Sequence, residues 1–296
     1  MAKRQEVLRW GEQQLREAGI VDWRTDSWLL YESAAHMNRT EFLLRRIENM
    51  PASERGVYEN MVKRRCTHVP VQYITGEQVF MGYSFLVSEQ VLIPRMDTEI
   101  LVQTVEQCTK QAARVLDLCT GSGCIAVSLK KRNPQLQIMG TDISKEAIEI
   151  AYKNSRRMEV TVDFYVSDLF GYFQQIEQER LADTAIFPNG KIKFDRIVSN
   201  PPYIPTSVIN GLDEEVRCHE PRIALDGTED GLGFYRRITR ESRNYLTDQG
   251  MLFYEIGYDQ AEAVSDIMEA EGFGNITVIQ DLAGLDRVVY GGMEHV

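Results

Sequence analysis

The sequence predicts an α/β protein with a parallel sheet, preceded by a smaller and wholly helical region. Short apolar strands alternate with helical patterns after residue 113, which is typical of a parallel sheet with helices on both faces. The first 70 residues show apolar residues at helical spacing alone. A chain of 296 residues is also long enough for two domains.

Residues 1–70 are expected to form a small helical bundle. The predicted helices are Val7–Ala18, Ser27–His36, a short one that begins at Thr40, and Ala52–Arg65. This region carries a net charge of +2, whereas residues 71–296 carry −13. The difference indicates that the two regions meet different partners.

The segment 71–93 is expected to be a linker between two domains. It is rich in Val, Ile, Tyr and Phe and is interrupted by Gly76 and Gly82, a pattern that predicts a β-hairpin. The second domain is then expected to span residues 94–296, and its first element is a predicted helix over Asp97–Cys108.

The rest of the second domain is expected to contain seven strands. They are predicted at Arg114–Leu118, Gln137–Thr141, Thr161–Val166, Phe194–Ser199, Gly250–Ile256, Ile276–Gln280 and Arg287–Tyr290. Helices are predicted at Cys124–Arg132, Lys145–Arg156, Asp230–Leu246 and Ala261–Ala270. The last two strands have no helix between them, so we expect them to pair antiparallel. The polar stretch Gln174–Lys193, with a turn at Pro188-Asn189-Gly190, is interpreted as an insertion.

Polar residues follow four of these strands, at the edge where parallel sheets bind ligands. The four strand ends are Asp117-Leu118-Cys119-Thr120-Gly121-Ser122-Gly123, Thr141-Asp142-Ile143, Ser167-Asp168-Leu169 and Ser199-Asn200-Pro201-Pro202-Tyr203. Glycines before a helix let a ligand approach the backbone, and the helix N-terminus favours a carboxylate or phosphate. An acid at Asp142 suits ribose hydroxyls. These features predict a nucleotide-like ligand.

Two ligands fit the glycine loop. Gly121-x-Gly123-x-x-Ala126 matches the dinucleotide fingerprint, so a nicotinamide enzyme is an alternative. Asp117 argues against it, because a carboxylate attracts an ammonium group and repels a pyrophosphate. S-adenosylmethionine has an amino-acid end for Asp117 and Gly121, a ribose for Asp142, and an adenine for Asp168 and Leu169. It is therefore the predicted cofactor, with S-adenosylhomocysteine as product.

The motif Asn200-Pro201-Pro202-Tyr203 predicts the second substrate. Two prolines fix the backbone and leave carbonyl groups exposed. The Asn200 amide and a neighbouring carbonyl can both accept hydrogen bonds from a planar NH2 group, with the Tyr203 ring beside them. Such a site orients an amide or an aromatic amine toward a methyl donor.

These motifs resemble class I S-adenosylmethionine-dependent methyltransferases that act on a planar nitrogen, and further segments resemble the PrmC/HemK family of release factor glutamine methyltransferases. The segments are Pro70–Gly76 with Phe80, Leu92–Arg95 with Asp97–Glu99, and Glu220–Gly227 with Gly231. The resemblance covers essentially the whole chain. Cys119 departs from it, because the broader methyltransferase loop often has glycine there. Leu169 replaces a tryptophan of some members.

The resemblance implies a seven-stranded methyltransferase sheet with its last strand antiparallel, a β-hairpin linker, and an N-terminal helical domain that recognises the substrate. The implied substrate is the glutamine of the Gly-Gly-Gln motif in class 1 peptide chain release factors. The implied cofactor-binding residues are Asp117, Cys119, Thr120, Gly121, Ser122, Gly123, Asp142, Ile143, Asp168, Leu169 and Asn200. The implied catalytic and glutamine-binding residues are Asn200, Pro201, Pro202 and Tyr203, and Glu220 and Arg222 are further substrate-binding candidates.

Composition limits the alternatives. Five scattered cysteines without a C-x-x-C pair indicate reduced thiols in the cytoplasm, and the four scattered histidines predict no metal site. The protein is expected to be a monomer. The sequence contains no run of about 18 apolar residues, so no membrane span is predicted. The net charge of −11 argues against direct nucleic-acid binding. The remaining rivals are a ribosomal-protein glutamine methyltransferase, an adenine-N6 DNA methyltransferase, and a silent cofactor-binding protein.

Overall fold

The structure is a computed structural model that describes residues 2–110, 112–179, 187 and 191–293. The chain forms two compact units. The first consists of the chain up to Glu77 together with Leu212–His219, and the second consists of the remainder. Within the described ranges, no helix is both long and apolar enough to cross a membrane.

The helices and strands follow the predicted order closely. The helices of the described residues are α1 (Arg4–Glu17), α2 (Trp23–Ala35), α3 (Arg39–Arg45), α4 (Ala52–Arg65), α5 (Val71–Thr75), α6 (Thr98–Gln107), α7 (Cys124–Arg132), α8 (Lys145–Arg157), α9 (Gly171–Gln178), α10 (Glu214–His219), α11 (Gly233–Ser242) and α12 (Ala261–Ala270). The strands are β1 (Glu77–Phe80), β2 (Tyr83–Leu86), β3 (Arg114–Leu118), β4 (Gln137–Asp142), β5 (Asp163–Val166), β6 (Phe194–Ser199), β7 (Leu246–Glu255), β8 (Phe273–Gln280) and β9 (Asp286–Met293).

The first unit is a helical bundle, which confirms the four helices predicted there. Leu15, Leu30 and Val62 are fully buried between α1, α2 and α4. A buried ion pair joins α4 to α2, because the Arg65 Nε donates to Asp26 Oδ2 at 2.7 Å. Arg65 also binds Glu215 of α10, so the segment that arrives late in the chain is fixed to this bundle.

The predicted linker is only partly a hairpin. Strands β1 and β2 pair with each other in a small two-stranded sheet, but Val71–Thr75 forms the short helix α5. Pro70 precedes this helix and Gly76 ends it in a left-handed conformation at φ 80°. Proline at the start and glycine at the end therefore override the β-preference of Val71 and Tyr73.

The second unit contains a seven-stranded sheet in the order β5-β4-β3-β6-β7-β9-β8. Every neighbouring pair from β5 to β7 is parallel, and β9 is antiparallel to both β7 and β8, as predicted. Leu118 at the end of β3 is in register with Thr141 on β4 and with Ser199 on β6. The residues that follow these three strands therefore emerge at the same edge.

Helices cover both faces of this sheet, because successive side chains of its central strands are buried in two different apolar clusters. On β7, Leu252 and Tyr254 belong to one buried cluster and Phe253 belongs to the other. Strands buried on both faces are typical of doubly wound α/β sheets.

Several predicted elements have different bounds, and β7, for example, begins at Leu246 and not at Gly250. The helix predicted over Asp230–Leu246 ends at Ser242, because Leu246 already pairs with Phe194 at the start of β7. The predicted insertion Gln174–Lys193 begins inside α9. Its turn at 188–190 lies outside the described residues.

Candidate active site

A cavity of about 240 Å³ opens in the second unit, at the carboxyl ends of β3, β4, β5 and β6. Ten of the predicted site residues line it together. They are Cys119, Thr120, Gly121, Ser122, Asp142, Ile143, Asp168, Leu169, Asn200 and Pro202. Six others do not line it, namely Asp117, Gly123, Pro201, Tyr203, Glu220 and Arg222. The four strand ends therefore meet as expected, but several side chains support the cavity from behind.

The loop between β3 and α7 turns by means of left-handed residues. Cys119, Gly121 and Gly123 have φ angles of 59°, 55° and 77°. Cys119 thus adopts the backbone conformation for which related loops use glycine, although its Cβ makes this conformation costly. Burial raises the pKa of the Cys119 thiol, which favours its protonated form.

Asp142 holds this loop from the neighbouring strand. Its Oδ2 accepts a hydrogen bond from the Gly121 backbone amide at 2.9 Å, and its Oδ1 accepts one from Ser144, also at 2.9 Å. Burial raises the pKa of the Asp142 carboxyl, while these backbone amides oppose the shift. The carboxylate therefore braces the loop and still presents oxygen lone pairs to the cavity.

Asp117 lies beneath the loop rather than on the cavity wall. It is fully buried, and its Oδ2 accepts hydrogen bonds from Thr120 Oγ1 at 2.6 Å and from the Ala126 backbone at 3.3 Å. Burial raises its pKa to about 7. Among the described residues, neither Asp117 Oδ1 nor the buried Ser122 Oγ has a hydrogen-bond partner. Of these two residues, Ser122 lines the cavity and Asp117 does not.

Asp168 and Leu169 form the wall at the end of β5. Asp168 is half-exposed, and both of its oxygens lie 3.0–3.1 Å from Arg237 Nη2 on α11. Leu169 is buried and has a left-handed φ of 50°, and its carbonyl accepts from Ser167 Oγ at 2.8 Å. The wall offers an apolar surface beside an ion pair.

Asn200 stands where β6 ends. Its Nδ2 donates to Thr98 Oγ1 at 3.4 Å, and Thr98 also lines the cavity. The preceding Ser199 hydroxyl donates to the Leu118 carbonyl at 2.9 Å, which joins the ends of β6 and β3. Asn200 therefore faces the same space as the glycine loop.

Tyr203 is held by its backbone. Its carbonyl accepts from Gln260 Nε2 at 3.0 Å. Two glycines pack directly on it, because a Cβ on Gly227 would lie 2.7 Å from the Tyr203 backbone and one on Gly231 would lie 2.4 Å from the Tyr203 carbonyl oxygen. The loop after the Asn200–Tyr203 motif thus needs glycine at both positions.

Glu220 and Arg222 brace that loop and do not line the cavity, so their substrate-binding role stays a prediction. Glu220 is buried and binds Arg95, whereas Arg222 is exposed and binds Asp226 at 3.3 Å. The Glu220 side chain points into the protein toward Arg95, whereas the Arg222 side chain points to solvent. Their neighbours Pro221, Ile223 and Ala224 line the cavity instead.

Several lining residues were not predicted. They are Gln90, Val91, Leu92, Pro94, Arg95, Thr98, Cys124, Ile125, Ser144, Ala147, Ser167, Pro221, Ile223, Ala224, Phe234 and Arg237. The first six precede the seven-stranded sheet in sequence. The rule that ligands bind beyond the carboxyl ends of parallel strands located the predicted residues, and it does not apply to these six. Glu255 was also missed, although it ends β7 and follows that rule. Within the described part of the chain, no group of three or more His, Cys, Asp or Glu could hold a metal ion.

Two family models match the chain. The PrmC N-terminal domain matches residues 6–76, and the methyltransferase small domain matches residues 95–211. The release factor glutamine methyltransferase of Geobacter sulfurreducens is 39% identical over 285 residues, which cover 96% of this chain and 95% of the relative. The chain belongs to the release factor glutamine methyltransferase family.

Another member of the family, from Bacillus cereus, is 34% identical over 98% of this chain and 99% of its own length. A solved methyltransferase structure from Pyrococcus furiosus aligns with a TM-score of 0.52 at 13% identity, covering 73% of this chain and 92% of that one. The fold is therefore the class I S-adenosylmethionine-dependent methyltransferase fold, and both the predicted family and the predicted fold are confirmed.

Proposed function

We propose that this enzyme methylates the side-chain amide nitrogen of the glutamine in the Gly-Gly-Gln motif of class 1 peptide chain release factors, with S-adenosylmethionine as methyl donor. The observation that carries the proposal is the position of Asn200, whose amide lines the same cavity as the glycine loop and Asp142. A methyl donor and a planar amide can therefore meet in one site. The family's name supports the choice of substrate.

The cavity residues fit S-adenosylmethionine. The carboxylate of Asp142 suits ribose hydroxyls, and Ile143 and Leu169 offer apolar surface to an adenine. Ser122 Oγ lines the cavity and has no partner among the described residues, so it suits the carboxylate of an amino acid. Asp117 lies beneath the loop, where its carboxylate would attract the ammonium group through the field it sets up and not by contact. When bound, the cofactor supplies an electrophilic methyl group.

Residues of the chain position the glutamine amide nitrogen, which is the nucleophile of the proposed reaction. An amide nitrogen is a poor nucleophile because its lone pair is delocalised into the carbonyl. Asn200 Oδ1 and the Pro201 carbonyl would accept the two N–H groups, and among the described residues none donates to that carbonyl. Fixing the nitrogen in line for attack supplies up to ~7–11 kcal/mol of barrier reduction. Accepting oxygens also stabilise positive charge growing on the nitrogen.

No general base is required in this scheme. The nitrogen becomes a strong acid once it carries the methyl group, so its extra proton passes to water. Tyr203 keeps its phenol protonated, because burial raises the pKa of that group. Its ring packs against the buried apolar cluster that contains Tyr235 and Tyr254, and we propose that it also contributes a π-face to the cationic centre.

We also propose that the first unit recognises the release factor. Leu43, Leu44 and Ile47 are exposed on and after α3, beside the exposed Arg45 and Arg46. Exposed apolar residues flanked by charge are typical of protein-binding surfaces. Leu44→Asp should raise KM for the release factor and leave S-adenosylmethionine affinity unchanged, and an unchanged KM would contradict the role.

Two other substrates are weaker candidates. A ribosomal-protein glutamine would fit the same motif. Duplex DNA fits poorly, because residues 71–296 carry −13 and an adenine would have to be flipped out of the helix. We place the protein in the cytoplasm as a monomer, and the free thiols of Cys66, Cys108 and Cys218 support a reducing compartment.

The deciding experiment is methyl transfer from labelled S-adenosylmethionine to four acceptors. They are a class 1 release factor, its Gln→Ala version in Gly-Gly-Gln, a ribosomal protein and duplex DNA. We expect label on the release factor alone, lost in the Gln→Ala version. Label on either of the last two acceptors instead would overturn the substrate, and bound cofactor without any transfer would favour a silent binding protein.

A further inference from the structure

Glu255 ends β7 directly beside the catalytic motif. In the parallel pair of β6 and β7, Ser199 is in register with Tyr254, so the next residues, Asn200 and Glu255, are neighbours at this edge of the sheet. Glu255 is 1% exposed, which is rare for a carboxylate without a strong partner. Nothing in the scheme above uses this group.

The contacts of Glu255 point to Asn200. Burial raises the pKa of Glu255, and the neighbouring Thr98, Arg287 and Asn200 side chains oppose that rise. The Asn200 Nδ2 also donates to Thr98 Oγ1 at 3.4 Å. Among the described residues Glu255 Oε2 has no hydrogen-bond partner, so this carboxylate has spare capacity to accept. Glu255 is thus buried beside Thr98 and Asn200, which line the cavity.

An asparagine amide has a donor end and an acceptor end of nearly the same shape, and only the acceptor end serves the proposed reaction. An ionised carboxylate accepts hydrogen bonds and cannot donate them. It therefore attracts the NH2 end of Asn200 and repels the oxygen. We propose that Glu255 is a positioning residue that turns the Asn200 amide so that Oδ1 faces the substrate glutamine. This inference rests on the proposed function.

The proposal gives activity a pH dependence. Burial raises the pKa of Glu255 to about 7. Among the described residues, the charged and titratable groups that act on Glu255 or on which it acts are Asp97, Arg287, Tyr203, Tyr235 and Cys124. Only Arg287 is a cation among them. Below pH 7 the protonated Glu255 can donate a hydrogen bond to Asn200 Oδ1. The Asn200 amide can then turn its NH2 group toward the substrate, so kcat should fall as pH falls through about 7.

The test compares Glu255→Gln and Glu255→Asp with the wild-type enzyme, using intact release factor. A glutamine has the same shape but can donate, so we expect kcat about tenfold to a hundredfold lower at about pH 8.5, with cofactor affinity within about twofold. The acidic limb of the pH profile should disappear. Glu255→Asp keeps a carboxylate that accepts hydrogen bonds. Its kcat should therefore be higher than that of Glu255→Gln, and its pH profile should keep the acidic limb.

Asp195→Asn is the matched control. Asp195 lies on β6 at the opposite end of the sheet, where its Oδ2 accepts from the Arg114 backbone at 2.8 Å. This variant should keep both kcat and the pH profile. Wild-type kcat and an unchanged acidic limb in Glu255→Gln would overturn the proposal, as would equal losses in Glu255→Gln and Asp195→Asn.

A second readout needs no substrate. In 15N-labelled protein with S-adenosylhomocysteine, the Asn200 NH2 signal is assigned by its absence in Asn200→Ala. Its protons should exchange slowly with water in the wild type and at least about tenfold faster in Glu255→Gln. Slow exchange in both would overturn the proposal. If the release factor is not methylated at all, this readout still tests Glu255 while the proposed function fails.

Discussion

Gln260 donates from its side-chain Nε2 to the backbone carbonyl of Tyr203 at 3.0 Å, and so holds the end of the Asn200–Tyr203 motif from the start of α12. The same side chain accepts from the Gly257 backbone at 3.0 Å through Oε1. One buried amide thereby joins the loop after β7 to the loop after β6. Gln260 does not line the cavity, so its effect on catalysis is transmitted through the backbone of Tyr203.

Gln260→Leu should therefore lower kcat without weakening cofactor binding. The substitution keeps the volume but leaves the Tyr203 carbonyl without this donor, at a cost of about 1–3 kcal/mol in stability. We expect kcat to fall about tenfold, measured by methyl transfer, with cofactor affinity unchanged by calorimetry. Gln280→Leu, on the exposed end of β8, is the control. Equal kcat values in the two variants would contradict the role.

Asn200→Ala should abolish methyl transfer and leave the fold intact. The side chain is half-buried and its described hydrogen bond to Thr98 is long at 3.4 Å, so little stability depends on it. We expect less than about 1% of wild-type kcat and a melting temperature within a few degrees. Asn60→Ala, on the exposed surface of α4, should change neither quantity. Near wild-type transfer by Asn200→Ala would refute the assigned role.

Asp142→Ala should weaken cofactor binding more than it slows transfer at saturation. It removes the acceptor for the Gly121 and Ser144 amides as well as the predicted ribose partner. Losses of about 1–3 kcal/mol correspond to roughly tenfold to a hundredfold in affinity. Calorimetry with S-adenosylhomocysteine measures this change directly. Asp248→Ala, exposed on β7, should bind as the wild type does, and unchanged affinity in Asp142→Ala would be inconsistent with the site.

Asp117→Asn should change how stability depends on pH. The folded pKa of Asp117 is raised from 3.8 to about 7, so folding favours its protonated form. That contribution is complete below about pH 4 and is lost as pH rises through 7, by about 4 kcal/mol in total. The asparagine variant should escape this loss, so it gains stability relative to the wild type between those pH values. Urea unfolding across this range measures the difference, and parallel curves would contradict the shift.

Cys119→Gly should stabilise the protein by about 1 kcal/mol. Cys119 holds a left-handed φ of 59°, and glycine removes the Cβ that makes this conformation costly. Cys124→Gly is the matched control, because Cys124 lies in the helix α7 and should lose about 1 kcal/mol or more. Urea unfolding measures both. A loss of stability in Cys119→Gly would show that packing of the thiol outweighs backbone strain.

The sheet was predictable because its strands carry local signals. The bounds of β3, β6, α7 and α12 match the predictions to the residue. Apolar runs bounded by polar residues and glycines define these elements without help from the rest of the chain. The helix α5 was missed because its Val and Tyr residues favour strands, and only the flanking proline and glycine mark it as helical.

The site was predictable where it follows from sheet topology. Residues after β3, β4, β5 and β6 meet at one edge, and one rule locates them all. Arg95 and Thr98 reach the cavity through the packing of a segment outside the sheet, which no local pattern encodes. Asp117 follows the rule but is buried, because Thr120 and the start of α7 draw its carboxylate beneath the loop.

The assignment of Leu212–His219 to the first unit means that the chain passes between the two units three times, after Glu77, Gly211 and His219. The first unit therefore consists of two separate segments of the chain, and replacing one continuous segment cannot exchange it whole. A chimera that takes residues 1–77 from a relative would pair a foreign bundle with the resident α10 and would depend on a compatible partner for Glu215. For the same reason, a protease that cuts only near residue 77 should leave two fragments that still elute together.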